Sequence, residues 1–395
     1  MGHLGKVELT GRGRRRFEGG HPWIFADDIA REEAAPGSVV AIEDHAGRHL
    51  GWGLYSSQSK IRVRTVTRDE REPDRAFWLA RLRRAIATRR ALGLYDARGA
   101  CRLLAGDADG IPGMVIDHYA GVCVMQSGAQ GSDQLRDLLV EGLEHAELDA
   151  LHAIVDRSDA SVRRLEGLDE RVEVVRGAIP SSLEVRDGEL VYEVDVLEGH
   201  KTGHYLDQRL NRARAAQLAR GTAVLDAFCY DGLFGIQAAL AGATSVLLLD
   251  QSEAAGQRAL RNAERNGVAE RCTFERVDVM RDLKHRTDLD ARFGLVIVDP
   301  PAFAKNKREL EGAERGYREL NLRALRLVAP LGHLVSASCS YAMKSEHFLA
   351  ILAQAAHLSG RDVWLEELRG ASPDHPELLV LPESAYLKCA FLRVA

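Results

Sequence analysis

Hydrophobic and polar positions divide the chain into three stretches with different rhythms. Up to about residue 70 the apolar runs are short: Ser38 to Ile42, Leu50 to Leu54 and Ile61 to Val66, separated by Asp44, Gly47 and Gly51. That spacing predicts brief strands joined by tight turns. From Lys60 to Arg68 polar and apolar residues alternate, which puts Lys60, Arg62, Arg64 and Arg68 on one face of a strand. Asp69 to Asp74 is polar and predicts a linker. Phe77, Leu79, Leu82, Ile86 and Leu92 then recur at helical spacing over 75–92. Strand-like runs follow at Met114 to Ile116, Val122 to Gln126, His152 to Val155, Val172 to Val175 and Val191 to Val196, with a helix-permissive polar stretch near 131–146. This middle part predicts an α+β domain.

From Gly221 the rhythm becomes strand, helix, strand. Ala223 to Ala227 is an apolar strand, and Ile236 to Ala241 is helix-like. Ser245 to Leu249 ends in Asp250, and Glu253 to Asn266 predicts a helix capped by Gly267. Cys272 to Val277 ends in Asp278, Phe293 to Val298 in Asp299-Pro300-Pro301, and His333 to Ala337 in Ser338-Cys339-Ser340. Alternation of this kind predicts a doubly wound, mostly parallel α/β sheet. Ligands bind such sheets outside the carboxyl ends of the strands, where all these polar residues fall.

Composition narrows the function classes. With 395 residues, two or three domains are expected. The formal net charge of −5 is no nucleic-acid signature, yet residues 1–68 hold 11 Lys/Arg against 8 Asp/Glu, including Arg12, Arg14, Arg15 and Arg16. An RNA contact must therefore be local. The six cysteines form no C-x-x-C pair, so neither a zinc site nor a disulfide framework is suggested, and no metal is expected. Scattered thiols fit a reducing cytoplasm, and no apolar run reaches membrane-spanning length.

The chemistry concentrates at five successive strand ends. Asp226 is followed by a turn with Phe228, Tyr230, Gly232 and Gly235 and then a helix, which brings backbone amides close to a ligand. The G-x-G-x-x-G pattern of dinucleotide folds is absent. Asp250, 24 residues after Asp226, stands where a carboxylate can accept ribose hydroxyls, and Asp278 where one can meet an adenine amine. Asp299-Pro-Pro forms a rigid turn that presents a carboxylate and carbonyls, with Phe303 as a stacking surface for a nucleobase. Cys339 ends the next strand. A thiolate there can add to C6 of a cytosine and make C5 nucleophilic. A lone cysteine on a strand is more often a small buried hydrophobe, and Cys229 in the cofactor loop is the ambiguous case.

Several segments together resemble the bacterial RlmI-type family of large-subunit ribosomal RNA cytosine-C5 methyltransferases. They are His200-Lys-Thr-Gly-His-Tyr-Leu-Asp-Gln-Arg209, Leu225 to Gly232, Asp299 to Phe303 with Asn306-Lys307, Ser338 to Ser340, and Tyr386-Leu-Lys388. His21-Pro-Trp-Ile-Phe25, Leu104 to Gly113 and Asp156-Arg-Ser-Asp159 extend the likeness over essentially the whole chain. The resemblance implies a β-rich PUA RNA-binding domain (1–70), a small α+β domain (75–190) and a class I, Rossmann-like methyltransferase domain (191–395). It implies S-adenosylmethionine as cofactor, held by Asp250, Asp278 and the loop near Gly232, with Cys339 as nucleophile. Gln208 and Arg209 are candidates to enclose the cofactor. His204 departs from the family, which often has a more apolar aromatic there. The implied partner is large-subunit ribosomal RNA; a homodimer is left open.

Two other readings stand beside this one. In a base N-methyltransferase, Asp299 and the following carbonyl would grip an exocyclic amine and Cys339 would be structural. In a non-catalytic RNA-binding or ribosome-assembly protein the methylase fold would be vestigial.

Overall fold

The computed structural model of the chain describes residues 5–303 and 309–395; Asn306 and Lys307 lie outside the described residues. Two compact units emerge. The first comprises residues 1–185, 194–206 and 373–384, and the second 186–193, 207–372 and 385–395.

The first unit holds two sheets. A six-stranded sheet runs in the order Trp23–Phe25, Ile61–Thr67, His49–Tyr55, Val39–Glu43, Gly5–Leu9, Ile29–Glu33. Its pairs are antiparallel except Gly5–Leu9 against Val39–Glu43. A five-stranded sheet orders Arg171–Gly177, Ala153–Ser158, Val122–Ser127, Met114–Tyr119 and Ala100–Ala105. Trp52, Leu54 and Val66 from the first sheet share one buried cluster with Trp78, Leu82, Leu103 and Ile116. The Asp69–Asp74 linker therefore joins two sheets that pack into a common core. The polar stretch near 131–146 forms two helices, Gln130–Gln134 and Arg136–Glu144.

From residue 207 the second unit runs α1 (Arg209–Gln217) and then alternates: β1 (Ala223–Ala227), α2 (Leu233–Leu240), β2 (Ser245–Asp250), α3 (Glu253–Arg265), β3 (Cys272–Arg276), α4 (Val279–Asp288), β4 (Phe293–Val298), α5 (Leu310–Leu327), β5 (Val328–Ser338), α6 (Ser345–Ser359), β6 (Val363–Arg369) and β7 (Lys388–Val394). The strand order is β3-β2-β1-β4-β5-β7-β6. β1 to β5 are parallel, and β7 runs antiparallel between β5 and β6. The apolar runs of β1 and β4 are buried on both faces, as expected of parallel strands covered by helices. β1 and β4 are the central neighbours at which the strand order reverses, so the crevice at their carboxyl ends is the topological switch point.

Candidate active site

Between β1 and α2 the backbone takes an unusual course. Phe228 (φ 64°), Tyr230 (φ 48°) and Gly232 (φ 77°) all lie in the left-handed region. For Phe and Tyr that conformation is strained and needs support from its surroundings. Asp226 supplies part of it. It is 2% exposed, and its Oδ2 accepts from the Gly235 amide at 2.8 Å. Burial, with the nearby charges of Asp299 and Asp250, pushes the Asp226 carboxyl up to about 7. Through that bond it helps to hold the course of the loop. Gly232 is required: a Cβ there would sit 2.8 Å from that of Ala259.

Asp250 closes β2, half-buried. Its Oδ2 accepts from the Tyr230 amide (3.0 Å) and Oδ1 from the Ser252 amide (2.9 Å). Each carboxylate oxygen keeps a further lone pair, so a diol can still be bound. Asp278 is exposed and caps α4 through the Arg281 amide at 3.1 Å. Asp231 was not singled out in the sequence. It is buried beside Arg258 (2.8 Å) and held near pKa 6 mainly by desolvation.

Asp299 follows β4, half-buried, with its amide 3.5 Å from the Ala227 carbonyl at the end of β1. Gln208 Nε2 donates to Asp299 Oδ2 at 3.1 Å, while Gln208 Oε1 accepts from Asn211 Nδ2 at 2.7 Å. Both ends of the Gln208 amide are thus engaged, and its visible task is to orient Asp299. Arg209 begins α1, half-buried. Pro300 is buried and Pro301 exposed. Phe303, the expected stacking surface, is partly buried, with one contact already made. Its ring packs 4.6 Å from that of Tyr317, in a space left by Gly316, where a Cβ would lie 3.0 Å from the ring. An apolar ring beside the buried face of α5 gains more by packing inward.

Cys339 directly follows β5 and is half-buried; the other five cysteines are buried. The serines on either side are buried and bound to one side chain. Ser338 Oγ donates to Tyr317 Oη (2.9 Å), and Tyr317 Oη lies 3.1 Å from Ser340 Oγ. Cys229 is buried, and desolvation raises its thiol well above the ordinary range.

In the first unit the basic strand differs from expectation. Lys60 is exposed, but Arg62 is partly covered and bonded to the Ser56 carbonyl (3.2 Å) and to Glu32 (3.3 Å). Arg64 is 7% exposed and tied to Glu166 at 3.2 Å. The alternation is present, yet this face is covered by other parts of the same unit, so Arg64 is not open to a phosphate. In the arginine run Gly11–Glu18, Arg12 and Arg16 pair with buried Asp28 at 2.8 and 3.2 Å. Among the described residues no His/Cys/Asp/Glu group is arranged to hold a metal, and no helix is long and apolar enough to cross a membrane.

Residues 7–68 match the model of a PUA-like domain, and residues 146–389 that of an S-adenosylmethionine-dependent methyltransferase. Ribosomal RNA large subunit methyltransferase I of Shewanella amazonensis is 39% identical over 98% of this chain and 99% of its own length. The Aeromonas hydrophila protein of the same name is 40% identical over 94% of this chain and 95% of its own. The chain belongs to the family of ribosomal RNA large subunit methyltransferase I. A solved methyltransferase complexed with SAH has the same fold as this family member, with a TM-score of 0.86 at 19% identity over 98% of this chain and 99% of that one.

S-adenosylmethionine is accordingly the cofactor, and the residues fit it. Asp226, Asp250 and Asp299 converge at one sheet edge, closely enough for both other acids to raise Asp226. The carboxylates of Asp250 and Asp299 suit a cationic sulfonium, and Asp250 suits a ribose diol. A charge-assisted hydrogen bond of this kind is worth about 1.5–3 kcal/mol. Asp250→Ala should therefore weaken S-adenosylmethionine by roughly ten- to a hundred-fold in calorimetry. Unchanged affinity in the folded variant would remove Asp250 from the cofactor site.

Proposed function

We propose that the chain methylates C5 of a cytosine in large-subunit ribosomal RNA through a transient bond between Cys339 and cytosine C6. The observation carrying this is the placement of the half-buried thiol at the end of β5, beside Asp299 at the end of β4, on the carboxyl-end side of the sheet where Asp250 ends β2. The names of the relatives support the ribosomal RNA substrate.

Bound S-adenosylmethionine supplies an electrophilic methyl group. The Cys339 thiolate adds to C6, and the displaced electron pair makes C5 nucleophilic. Asp299, oriented by Gln208, hydrogen-bonds the ring edge and offsets the charge that develops there. Once C5 carries the methyl group, a base takes its proton and the thiolate leaves, restoring the aromatic ring. Pro300 and Pro301 keep the Asp299 turn rigid. The loop at Phe228, Tyr230 and Gly232, with Asp278 and Arg209, lines the cofactor side. In this reading residues 1–70 bring the RNA, 75–190 form the middle domain and 191–395 carry the chemistry, in the cytoplasm.

The test is nucleoside analysis of ribosomal RNA incubated with the enzyme and methyl-labelled cofactor. Label in 5-methylcytidine is expected; label in an N-methylated base overturns the reading. On the RNA side, Lys60 is our candidate for a phosphate contact, with Arg62 beside it. Lys60→Glu should weaken RNA binding and flatten the log–log salt dependence by about one unit, because fewer counterions are released. An unchanged slope would place the RNA surface elsewhere.

A further inference from the structure

Tyr386-Leu-Lys388 has no part in the steps above, yet it puts a lysine in an improbable place. Lys388 opens β7 in register with Ser338, one residue before the candidate nucleophile. It is 2% exposed. Its Nζ donates to the Ser340 carbonyl at 2.8 Å and the Tyr386 carbonyl at 2.7 Å. Two neutral carbonyls satisfy hydrogen bonds but do not balance a buried positive charge. Desolvation lowers the lysine to about 8, and the charge of Cys339 acts in the opposite direction. Ser338-Cys339-Ser340 is therefore held by Tyr317 through both serine hydroxyls and by Lys388 through the Ser340 carbonyl. Cys339 is the one of the three that is not buried.

We propose that Lys388 is a positioning residue for Cys339: its ammonium stands behind the thiol, fixes the Ser340 carbonyl and stabilises the attacking thiolate. This rests on Cys339 being the nucleophile. Among the described residues, the titratable groups on the neighbouring elements include Asp299 after β4, Tyr317 of α5, Tyr341 just beyond the thiol, Cys389 of β7, and Tyr386, whose hydroxyl donates to Asp207 at 2.6 Å. The carboxylates oppose a thiolate, and Lys388 offsets them. Because its own proton is lost near 8, the support is present at neutral pH and fades in alkali. Lys388 is also beyond reach of the substrate, so it acts only through Cys339.

Iodoacetamide alkylation of the full chain, followed by peptide mass across a pH series, tests this without RNA. The buried state of the other five cysteines lets the folded protein report on Cys339. In the wild type the alkylation midpoint should lie about one unit or more below the ordinary cysteine value of about 8.5. Lys388→Met should raise it by about one unit and slow methyl transfer at neutral pH roughly tenfold, with recovery as pH rises. Lys388→Arg, which keeps the charge, should keep the midpoint low. A wild-type midpoint at or above the ordinary value overturns the proposal even if Lys388→Met fails to fold. So does a folded Lys388→Met with an unchanged midpoint. Failure of the cytosine-C5 reading shows separately, in an N-methylated product or an active Cys339→Ala.

Discussion

Cys339→Ala should bind S-adenosylmethionine as the wild type does and yet lose methyl transfer by at least about a thousandfold. The reason is electronic. Cytosine C5 is a poor nucleophile until electrons are pushed into the ring from C6, and the other five thiols are buried. The companion result is a trap. On RNA carrying 5-fluorocytosine the wild type should form a complex that survives denaturing electrophoresis, because fluorine at C5 leaves no proton to remove and the thiolate cannot depart. The adduct should map to Cys339. Cys229 is buried and its thiol is held protonated by desolvation, so it is a poor competitor. Substantial turnover by Cys339→Ala would sink the covalent route and promote base N-methylation.

The second large effect is expected at Asp299. Asp299→Ala should lower the single-turnover rate by roughly a hundred- to a thousandfold while cofactor affinity changes only a few-fold. A hydrogen-bonding group already aimed at the ring acts mainly on the charge that appears as sulfur adds. The aim is set from behind: Arg369 Nε donates to Asn211 Oδ1 (3.2 Å), Asn211 donates to Gln208, and Gln208 donates to Asp299. Gln208→Leu should therefore show the same defect in milder form. A full rate in Asp299→Ala would move base recognition to another group.

The central strands were legible because each combines an uninterrupted apolar run with an abrupt polar end. Asp250 and Cys339 inherit their positions from that pattern, as does Asp299. What pattern does not convey is which polar face is covered. Arg64 obeys the alternation of its strand and still ends up against Glu166, because the facing surface comes from residues a hundred positions later. That Gly316 makes room for the Phe303 ring is likewise invisible in the local pattern. Gln208 sits in a segment whose likeness to a family marks it as important without saying what it touches; its partner is 91 residues away. Lys388 did leave a signal: a lysine inside the apolar run Leu387 to Leu392. A charge at such a position needs a reason, and only three-dimensional proximity to Cys339 supplies one.

The antiparallel strand β7 is later in the chain than β6, yet it lies between β5 and β6. During synthesis β6 thus emerges with no neighbour to pair with, and an open slot waits at the edge of β5. Until β7 is inserted, the apolar backbone edges on both sides are exposed to mispairing and aggregation. Insertion also delivers Lys388 to its place behind Cys339. A chain interrupted before residue 388 would carry the thiol on an unfinished sheet, so assembly of the nucleophile's surroundings is coupled to the insertion of β7.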